Sequence, residues 1–391
     1  MDKRLVYLDN SATTKISEEA LEKYIEIASS EAANPSSLHS LGVSAEKIIK
    51  DAKASLLSVL SAKDYKAVFT ASGTEANNLA IIGRAFSKER YKRGAKIITT
   101  DGEHASVNAP LEYLASMGFK IKRISTVGGK VDLEELQREL TPDTILVTAM
   151  MVNNETGALY DVKKIGEIMR RLAPESVLHV DATQSFMKLP INLKQLGADM
   201  LTVSSHKIHG PKGVGALLVS DALLKKKGLS PIIMGGGQEG GLRSGTENVP
   251  AIAAFGRAVE IEARLLPETQ KKLREMRDYL IEKLTRTPAL AEISITNPEI
   301  SAPHILNITL PKIKSETMLH YLSAENIFVS SGSACSSNST HKTSALVAYG
   351  RSESEADSSI RISLSRLNEK TDIDRLCEAL ESGIIRLARI R

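Results

Sequence analysis

The chain has 391 residues, with 51 lysines and arginines against 47 aspartates and glutamates, and 42% of its residues are hydrophobic. This length and apolar content predict two or three domains with large cores and exclude a disordered chain. The two cysteines, Cys335 and Cys377, are too few for a disulfide framework, a four-cysteine zinc site or an iron–sulfur cluster. We therefore expect a protein from a reducing compartment that holds no metal of its own.

Three further absences in the sequence exclude classes of function. The apolar stretch at residues 5–8 is too short for a secretory signal, and no run of about 18 apolar residues could form a membrane span. The net charge of +4 is spread along the chain, and there is no tryptophan for a base-stacking platform. We expect a soluble, cytoplasmic protein that does not bind a membrane or, directly, nucleic acid.

Short apolar runs rich in β-branched residues alternate with segments of helical spacing between residues 17 and 220. This alternation predicts an α/β fold with a mostly parallel sheet covered by helices. The predicted strands are residues 67–70, 95–99, 120–124, 145–150, 177–180, 200–203 and 215–219. Apolar stripes at three- and four-residue intervals predict helices over residues 48–60 and 133–140.

A second, smaller unit is predicted from the last third of the chain. A long charged helix over residues 258–284 connects to strands at 305–310, 327–330 and 360–363 and to a helix at 372–389. This order is typical of an α+β unit. We expect a large domain of residues 15–257 and a small domain made of residues 1–14 and 258–391.

A lysine and an aspartate each follow a predicted buried strand. Lys207 comes after strand 200–203 and Asp181 after strand 177–180, where open α/β sheets bind their ligands. A pyridoxal-phosphate site requires this pair, because the lysine forms a Schiff base and the carboxylate keeps the pyridine nitrogen protonated. The alternatives are a lysine on a surface turn and an aspartate that caps a helix.

Other residues could complete such a cofactor site. Gly73 and Thr74 lie between a strand and a helix, where free backbone N–H groups can hold a phosphate, although the segment 72–75 is also an ordinary helix cap. Further phosphate donors could come from Ser204, His206 and Thr246, and Gln184 could donate to the phenolic oxygen. His104 could stack on the ring and move protons, or could be a structural histidine.

Three residues suggest a substrate site. Asn154 follows a strand and could bind the cofactor or a carboxylate, the alternative being an Asx turn. Arg361 lies in the apolar strand at residues 360–364, where it needs either a substrate carboxylate or a structural ion pair. Cys335 lies in a loop rich in serine and glycine, which is typical of a mobile, accessible nucleophile. Cys377, by contrast, is interpreted as a packing residue.

Together these residues resemble the cysteine desulfurases of the NifS/IscS type, which are fold-type I pyridoxal-phosphate enzymes of the class V aminotransferase family. The resemblance covers nearly the whole chain. Its motifs, in chain order, are YLDNSATT (7–14), NPSS (34–37), TE (74–75), EH (103–104), VNNE (152–155), HVDATQ (179–184), HK (206–207), GGGQ (235–238), RSGT (243–246), SGSAC (331–335) and SIR (359–361).

The resemblance implies a homodimer that converts L-cysteine to L-alanine and leaves a persulfide on Cys335. Lys207 and His104 would carry protons, and Asn34, Asn154 and Arg361 would lie near the substrate carboxylate. Thr246 would reach the phosphate from the other subunit. The sulfur would pass to an iron–sulfur scaffold or a thiotransferase, for cluster assembly or tRNA thiolation; residues 336–345 lack the acidic-proline pattern of some relatives, which leaves the acceptor open.

Two alternative functions stay open. One is another fold-type I activity, an aminotransferase or a selenocysteine lyase, which would keep Lys207 and Asp181 without needing Cys335. The other is a non-catalytic α/β scaffold that passes sulfur between proteins, which would have no need of the cofactor.

Overall fold

The apolar runs of the sequence form strands, and the segments between them form helices. The computed structural model describes residues 4–30, 33–88, 94–331 and 345–388. Its strands are β1 (Val6–Tyr7), β2 (Tyr65–Thr70), β3 (Lys96–Thr100), β4 (Lys120–Ile124), β5 (Thr144–Met150), β6 (Val177–Asp181), β7 (Met200–Ser204), β8 (Gly215–Ser220), β9 (Ser294–Thr296), β10 (Ile305–Thr309), β11 (Ile327–Phe328), β12 (Ser330–Ser331) and β13 (Ser359–Ser363). Its helices are α1 (Glu18–Ser30), α2 (Ser40–Val59), α3 (Gly73–Ala85), α4 (Ala105–Ser116), α5 (Leu133–Glu139), α6 (Val162–Leu172), α7 (Leu193–Leu196), α8 (Asp221–Lys225), α9 (Val249–Arg286), α10 (Ser315–Ala324), α11 (Ala345–Tyr349), α12 (Glu353–Asp357) and α13 (Lys370–Ala388).

Seven of these strands form one large sheet in the order β2-β8-β7-β6-β5-β3-β4. β8 is antiparallel to both of its neighbours, and the other pairs are parallel. The mostly parallel sheet predicted from the sequence is confirmed, with strand bounds that agree within two residues. Its parallel strands end at a common edge, which is where such sheets bind ligands.

Helices cover both faces of the large sheet. Neighbouring residues of one strand point to opposite faces. Val147 belongs to the core that includes α1, α2, α6 and the start of α9, whereas Leu146 belongs to the core that includes α3, α4 and α8. Every residue of β5 is buried, as expected for a strand covered on both sides.

Helix α9 joins two apolar cores. It has 38 residues, which corresponds to a length of about 57 Å. Phe255 near its start packs in the core of the large sheet, whereas Leu273 and Leu280 pack in a second core with Val6 and α13. The connecting helix predicted over residues 258–284 is therefore present, but it begins nine residues earlier, at Val249, with Pro250 in its first turn.

The second core is built on a four-stranded antiparallel sheet in the order β12-β13-β10-β9. The N-terminal strand β1 pairs in parallel with β11 beside it. Cys377 of α13 is buried in this core, which confirms its interpretation as a packing residue. The predicted division into a large domain of residues 15–257 and a small domain of residues 1–14 with 258–391 stays a prediction. Across the described ranges, no helix combines the length and the apolar character that a membrane span requires.

Candidate functional site

Lys207 lies at the edge of the large sheet where the parallel strands end. β7 ends at Ser204, and residues 205–207 form a single 3₁₀ turn that carries the lysine. Lys207 Nζ donates to the backbone carbonyl of Ser11 and, at 2.8 Å, to that of Ala12. The lysine is thus half-buried and held by the N-terminal segment, and is not a side chain that leaves on a solvated turn.

Asp181 is the last residue of β6 and is 6% exposed. One of its carboxylate oxygens accepts from Asn77 Nδ2 at 2.8 Å, and the other accepts from the backbone N–H of Thr183 at 2.9 Å. The segment after Asp181 forms turns and no helix begins there, so the alternative of a helix cap is wrong. Donors from α3 and from the turn after β6 therefore hold the Asp181 carboxylate in one orientation.

The histidine that precedes Asp181 on the same strand is neutral. His179 is fully buried between Thr148 Oγ1, at 2.8 Å from Nδ1, and Thr202 Oγ1, at 3.0 Å from Nε2. Burial lowers the pKa of His179 to about 4, even though Asp181 acts to raise it. The ring therefore places no positive charge beside Asp181 at neutral pH.

The start of helix α3 and the end of β7 come together. Ser72 caps α3 by accepting from the backbone N–H of Glu75 at 3.1 Å, so the capping interpretation of this segment is confirmed. A Cβ added to Gly73 would lie 3.3 Å from both Ser204 Cβ and Thr183 Oγ1. Within the described part of the chain, Ser204 Oγ is buried without a hydrogen-bond partner. A helix N-terminus and an unsatisfied hydroxyl thus face the same space, which suits an anion.

His104 caps helix α4 at the end of the loop that follows β3. Its Nδ1 accepts from the backbone N–H of Ser106 at 3.1 Å, which leaves the proton of the neutral ring on Nε2. The residue is exposed, yet the protein around it desolvates the ring and lowers its pKa. The Asp181 charge opposes this shift, and the charges of Lys207 and Arg361 add to it. A neutral ring with one open face can stack on a planar ligand.

Glu103, next to His104, is buried and joins two strands of the sheet. Its Oε1 accepts from Thr100 Oγ1 at 2.6 Å and from the backbone N–H of Met150 at 2.8 Å. Burial raises the pKa of Glu103 to about 8. The carboxyl group is therefore mostly protonated at neutral pH, and it fixes the loop that carries His104.

Gln184 and His206 contact the N-terminal segment. Gln184 Nε2 donates at 2.9 Å to the Ser11 carbonyl, which also accepts from Lys207. His206 Nδ1 lies 3.2 Å from Thr13 Oγ1, and burial lowers the pKa of this ring to about 4. Both side chains lie beside Lys207, while their predicted contacts with the cofactor stay predictions.

Arg361 lies in the middle of β13 and is 3% exposed. Its guanidinium donates to Glu155 Oε1 at 2.7 Å, to the Asn154 carbonyl at 3.0 Å and to Asp9 Oδ1 at 3.0 Å. The structural ion pair that the sequence left open is therefore present. Burial raises the pKa values of Asp9 and Glu155, and the arginine opposes that rise. The charge of Arg361 in turn acts on His104, which connects this cluster to the sheet edge.

Three predicted site residues are less closely tied to Lys207. Asn34 is exposed, and its side chain accepts from the Ser36 N–H at 2.9 Å in an Asx turn. Thr246 is exposed, three residues beyond Arg243, whose Nε binds Glu75 at 2.8 Å at the start of α3. Cys335 lies outside the described residues.

Residues 6–376 match the sequence profile described as aminotransferase class-V. The match includes the large sheet, the candidate site residues at its edge and the second core. The chain belongs to the aminotransferase class-V family.

Individual members of this family are similar to the chain over nearly its whole length. "Cysteine desulfurase IscS 1" of Archaeoglobus fulgidus is 39% identical over 97% of both chains. "Cysteine desulfurase IscS" of Dictyoglomus turgidum is 34% identical over 99% of this chain and 96% of its own. A solved structure titled "NIFS-LIKE PROTEIN" has a TM-score of 0.90 and 34% identity, covering 98% of this chain and 100% of that one. The fold-type I architecture expected from the resemblance is confirmed.

Sequence reasoning missed one residue of this class V site. Asn77 bonds Asp181 and, at 2.9 Å, also Ser106 Oγ, so one amide connects the carboxylate to the His104 loop. Its position one turn into α3 indicates a hydrogen-bonding role, because an asparagine on the buried face of a helix needs polar partners. The sequence did not show which partners these are.

Proposed function

We propose that this class V family member is a pyridoxal-phosphate-dependent cysteine desulfurase, a transferase that converts L-cysteine to L-alanine and takes the sulfur onto Cys335. One observation carries the proposal. A chain similar over nearly its full length to proteins named cysteine desulfurase has Asp181 and Lys207 at the ends of two strands of one sheet, and both of their charges act on His104, which supports a shared site.

The residues at this edge fit pyridoxal phosphate. Gly73 at the start of α3 and the unsatisfied hydroxyl of Ser204 would hold the phosphate, together with the backbone of Thr74. Asp181, fixed by Asn77, would face the pyridine nitrogen and keep it protonated. When bound, the cofactor supplies an electron-withdrawing ring that stabilises negative charge at the substrate α-carbon.

Two side chains move the protons in this proposal. Lys207 would hold the cofactor through its amine, and the same amine would accept and return a proton at the substrate carbons. Its two backbone carbonyl partners keep the amine at the sheet edge. His104, whose neutral ring bears its proton on Nε2, would stack on the cofactor and serve as the second proton carrier.

Cys335 takes the sulfur. Its thiolate attacks the sulfur of the substrate, so that the carbon–sulfur bond of cysteine breaks as a sulfur–sulfur bond forms. A proton is added at the substrate Cβ, and the product leaves as L-alanine. The atoms balance without any external oxidant: alanine differs from cysteine by one sulfur atom, which stays on the enzyme as a persulfide. The electron pair of the broken carbon–sulfur bond goes to the carbon side and takes up the proton at Cβ.

The substrate carboxylate binds beside Arg361. This arginine is buried and already bonded to Asp9 and Glu155, so its position is fixed before substrate arrives. The amide of Asn154 and, from the chain before α2, Asn34 supply further donors in this proposal. A carboxylate bound to such a prearranged fork is oriented as well as held.

The proposal includes a homodimer in the cytoplasm. Leu38, Leu41, Val43 and Met234 are large apolar side chains that are 56–99% exposed in the single chain, which supports their burial by a second copy. Thr246 of that copy would complete the phosphate site. The persulfide would then pass to an acceptor protein such as an iron–sulfur scaffold or a thiotransferase that modifies tRNA.

Variants of the two cysteines test the proposed function. We expect purified protein loaded with the cofactor to release L-alanine from L-cysteine in the presence of a reducing thiol. Cys335→Ser should keep the yellow cofactor colour and lose at least 99% of alanine release, because no thiolate takes the sulfur. Cys377→Ala is the matched control, since Cys377 is buried in the second core, and it should keep its activity.

Unchanged turnover in Cys335→Ser would contradict the proposal and favour a lyase that needs no cysteine nucleophile. Failure of the wild-type protein to bind the cofactor at all would favour a non-catalytic scaffold.

A further inference from the structure

Two carboxylates already hold the arginine that the proposed function assigns to the substrate carboxylate. Arg361 Nη1 donates to Glu155 Oε1 at 2.7 Å, and Nη2 donates to Asp9 Oδ1 at 3.0 Å. The charges of Arg361 and Lys207 both oppose the effect of burial, which raises the pKa values of these two carboxyl groups. Two cations and two carboxylates thus balance here before any ligand is present, and a substrate carboxylate adds a negative charge to this cluster.

Of the two carboxylates, Asp9 is the one that is more easily displaced. The Glu155 side chain is 9% exposed, and its Oε1 also accepts from Asn154 Nδ2 at 2.8 Å. The Asp9 side chain is 20% exposed, and its ion pair with Arg361 is the longer of the two. An ion pair that is longer and closer to water is weaker than a short buried one.

The backbone of Asp9, in contrast, is fixed. It pairs with Ser363 in a β-bridge, and its carbonyl accepts from Tyr7 Oη at 3.1 Å. Displacement of Asp9 from Arg361 is therefore a rotation of one side chain and requires no movement of the segment that carries it.

The segment that carries Asp9 also holds Lys207. The backbone carbonyls two and three residues after Asp9 accept from Lys207 Nζ. Residues 9–12 therefore contact both of the side chains between which an amino-acid substrate would lie in the proposed function. A ligand carboxylate that reaches Arg361 from the side of Lys207 meets Asp9 at the guanidinium.

We propose that Asp9 is an internal competitor for the carboxylate site of Arg361 and thereby determines how strongly this site prefers ligands with a carboxylate. Asp9 compensates the buried guanidinium while the site is empty, since a buried charge without a partner is costly. A substrate carboxylate takes its place at Nη2, because two like charges held at one nitrogen repel each other. The inference rests on the function proposed for Arg361 and adds a specificity-determining residue to it.

Two stable probes isolate the contribution of the ligand carboxylate. Phosphopyridoxyl-L-alanine carries the carboxylate, and phosphopyridoxyl-ethylamine is the same molecule without it. Isothermal titration of the full-length, cofactor-free chain with each probe gives the ratio of the two affinities. Asp9→Asn keeps the size of the side chain and its Oδ1 acceptor but removes the charge. We expect the ratio in this variant to rise about tenfold in favour of the alanine probe, because a like charge beside the bound carboxylate is lost.

Controls separate the charge of Asp9 from its effect on folding. Asp9→Glu keeps the negative charge and should not raise the ratio. Asp51→Asn removes an exposed aspartate of α2 and should match the wild type. Because both probes require the same folded site, a general loss of stability cancels in the ratio. If Asp9→Asn does not fold, Asp9→Ser removes the same charge and should give the same rise.

An unchanged ratio in Asp9→Asn would overturn the inference. A lowered ratio would overturn it as well, since Asp9 would then orient Arg361 for the substrate and not compete with it. Either result leaves the proposed function in place when the wild type binds the alanine probe. Failure of the wild type to bind either probe would overturn both the inference and the proposed cofactor site.

Discussion

Asn77 illustrates how the site depends, at the scale of single residues, on contacts between distant parts of the chain. It is separated by 104 positions from Asp181, and Arg361 is separated by 352 positions from Asp9. The proposed catalytic side chains could be selected from the sequence, because Lys207 and Asp181 each follow a predicted buried strand; their roles stay a prediction. Their partners could not, because nothing in the local sequence around Asn77 specifies which distant carboxylate it will meet.

Replacing Asn77 with Ala should weaken the binding of pyridoxal phosphate. The change removes the donor to Asp181 Oδ2, so a buried carboxylate oxygen loses its hydrogen bond and the carboxylate is no longer held in one orientation. A lost bond of this kind costs about 1–3 kcal/mol, or about 5- to 150-fold in affinity. Absorbance titration of the cofactor-free protein measures the effect. Asn78→Ala, which removes an exposed amide on the same helix, is the control, and equal affinities in the two variants would refute the role of Asn77.

Replacing Glu103 with Gln should stabilise the protein at neutral and alkaline pH. Burial raises the pKa of this group from its ordinary value of 4.5 to about 8, so the folded chain binds the proton more tightly than the unfolded chain. Stability is therefore lost as the pH rises from about 4.5 to 8. Gln keeps the acceptor for Thr100 and Met150 without this loss.

The gain in the free energy of unfolding should be on the order of 2 kcal/mol at pH 8 and small near pH 5. Urea unfolding at the two pH values measures it. A gain of the same size at both would show that titration of Glu103 is not its cause.

At the scale of elements, the helix that starts beside the end of β7 determines where an anion can bind. α3 begins at Gly73, directly after β2, and its capping serine and its close contact with Ser204 fix the position of its first turn. The N-terminus of a helix stabilises negative charge only within about its first turn. The contact between α3 and β7 is therefore what would join the proposed phosphate site to the lysine that follows β7.

Replacing Gly73 with Ala tests this contact. The added methyl group would lie 3.3 Å from Ser204 Cβ and from Thr183 Oγ1. Because Ala suits the first turn of a helix, the variant should keep its fold. We expect the affinity for pyridoxal phosphate to fall about tenfold, equivalent to about 1.4 kcal/mol. Pyridoxal, which lacks the phosphate, should bind wild type and variant equally. A similar loss for both ligands would mean that Gly73 does not act through the phosphate.

Elements were predictable from the sequence where their signal was long and buried. The strands of the large sheet are apolar, β-branched runs between turns, and the predicted strand bounds agree with those of the structure within two residues. β1 and β9 were not predicted because they have two and three residues, too few to show alternation. The start of α9 was missed because the apolar segment at residues 249–256 is buried on all sides and shows no polar face.

At the scale of the whole molecule, the N-terminal segment connects the two cores. Val6 packs in the second core and β1 pairs with β11, while the carbonyls of Ser11 and Ala12 accept from Lys207 at the edge of the large sheet. Between them, Asp9 binds Arg361 of β13. The proposed cofactor and substrate positions are therefore assembled only when both cores are folded against this segment, which accounts for site residues being spread over most of the chain.

Tracing one sulfur atom tests the central claim most directly. The cofactor-loaded protein is mixed with L-cysteine labelled with ³⁴S, quenched with an alkylating agent before a second turnover, and digested for mass spectrometry while L-alanine is quantified. We expect one labelled sulfur atom on the peptide that contains Cys335, in equal amount to the alanine released, and none on the peptide that contains Cys377. Alanine formed without labelled sulfur on the Cys335 peptide would contradict the account.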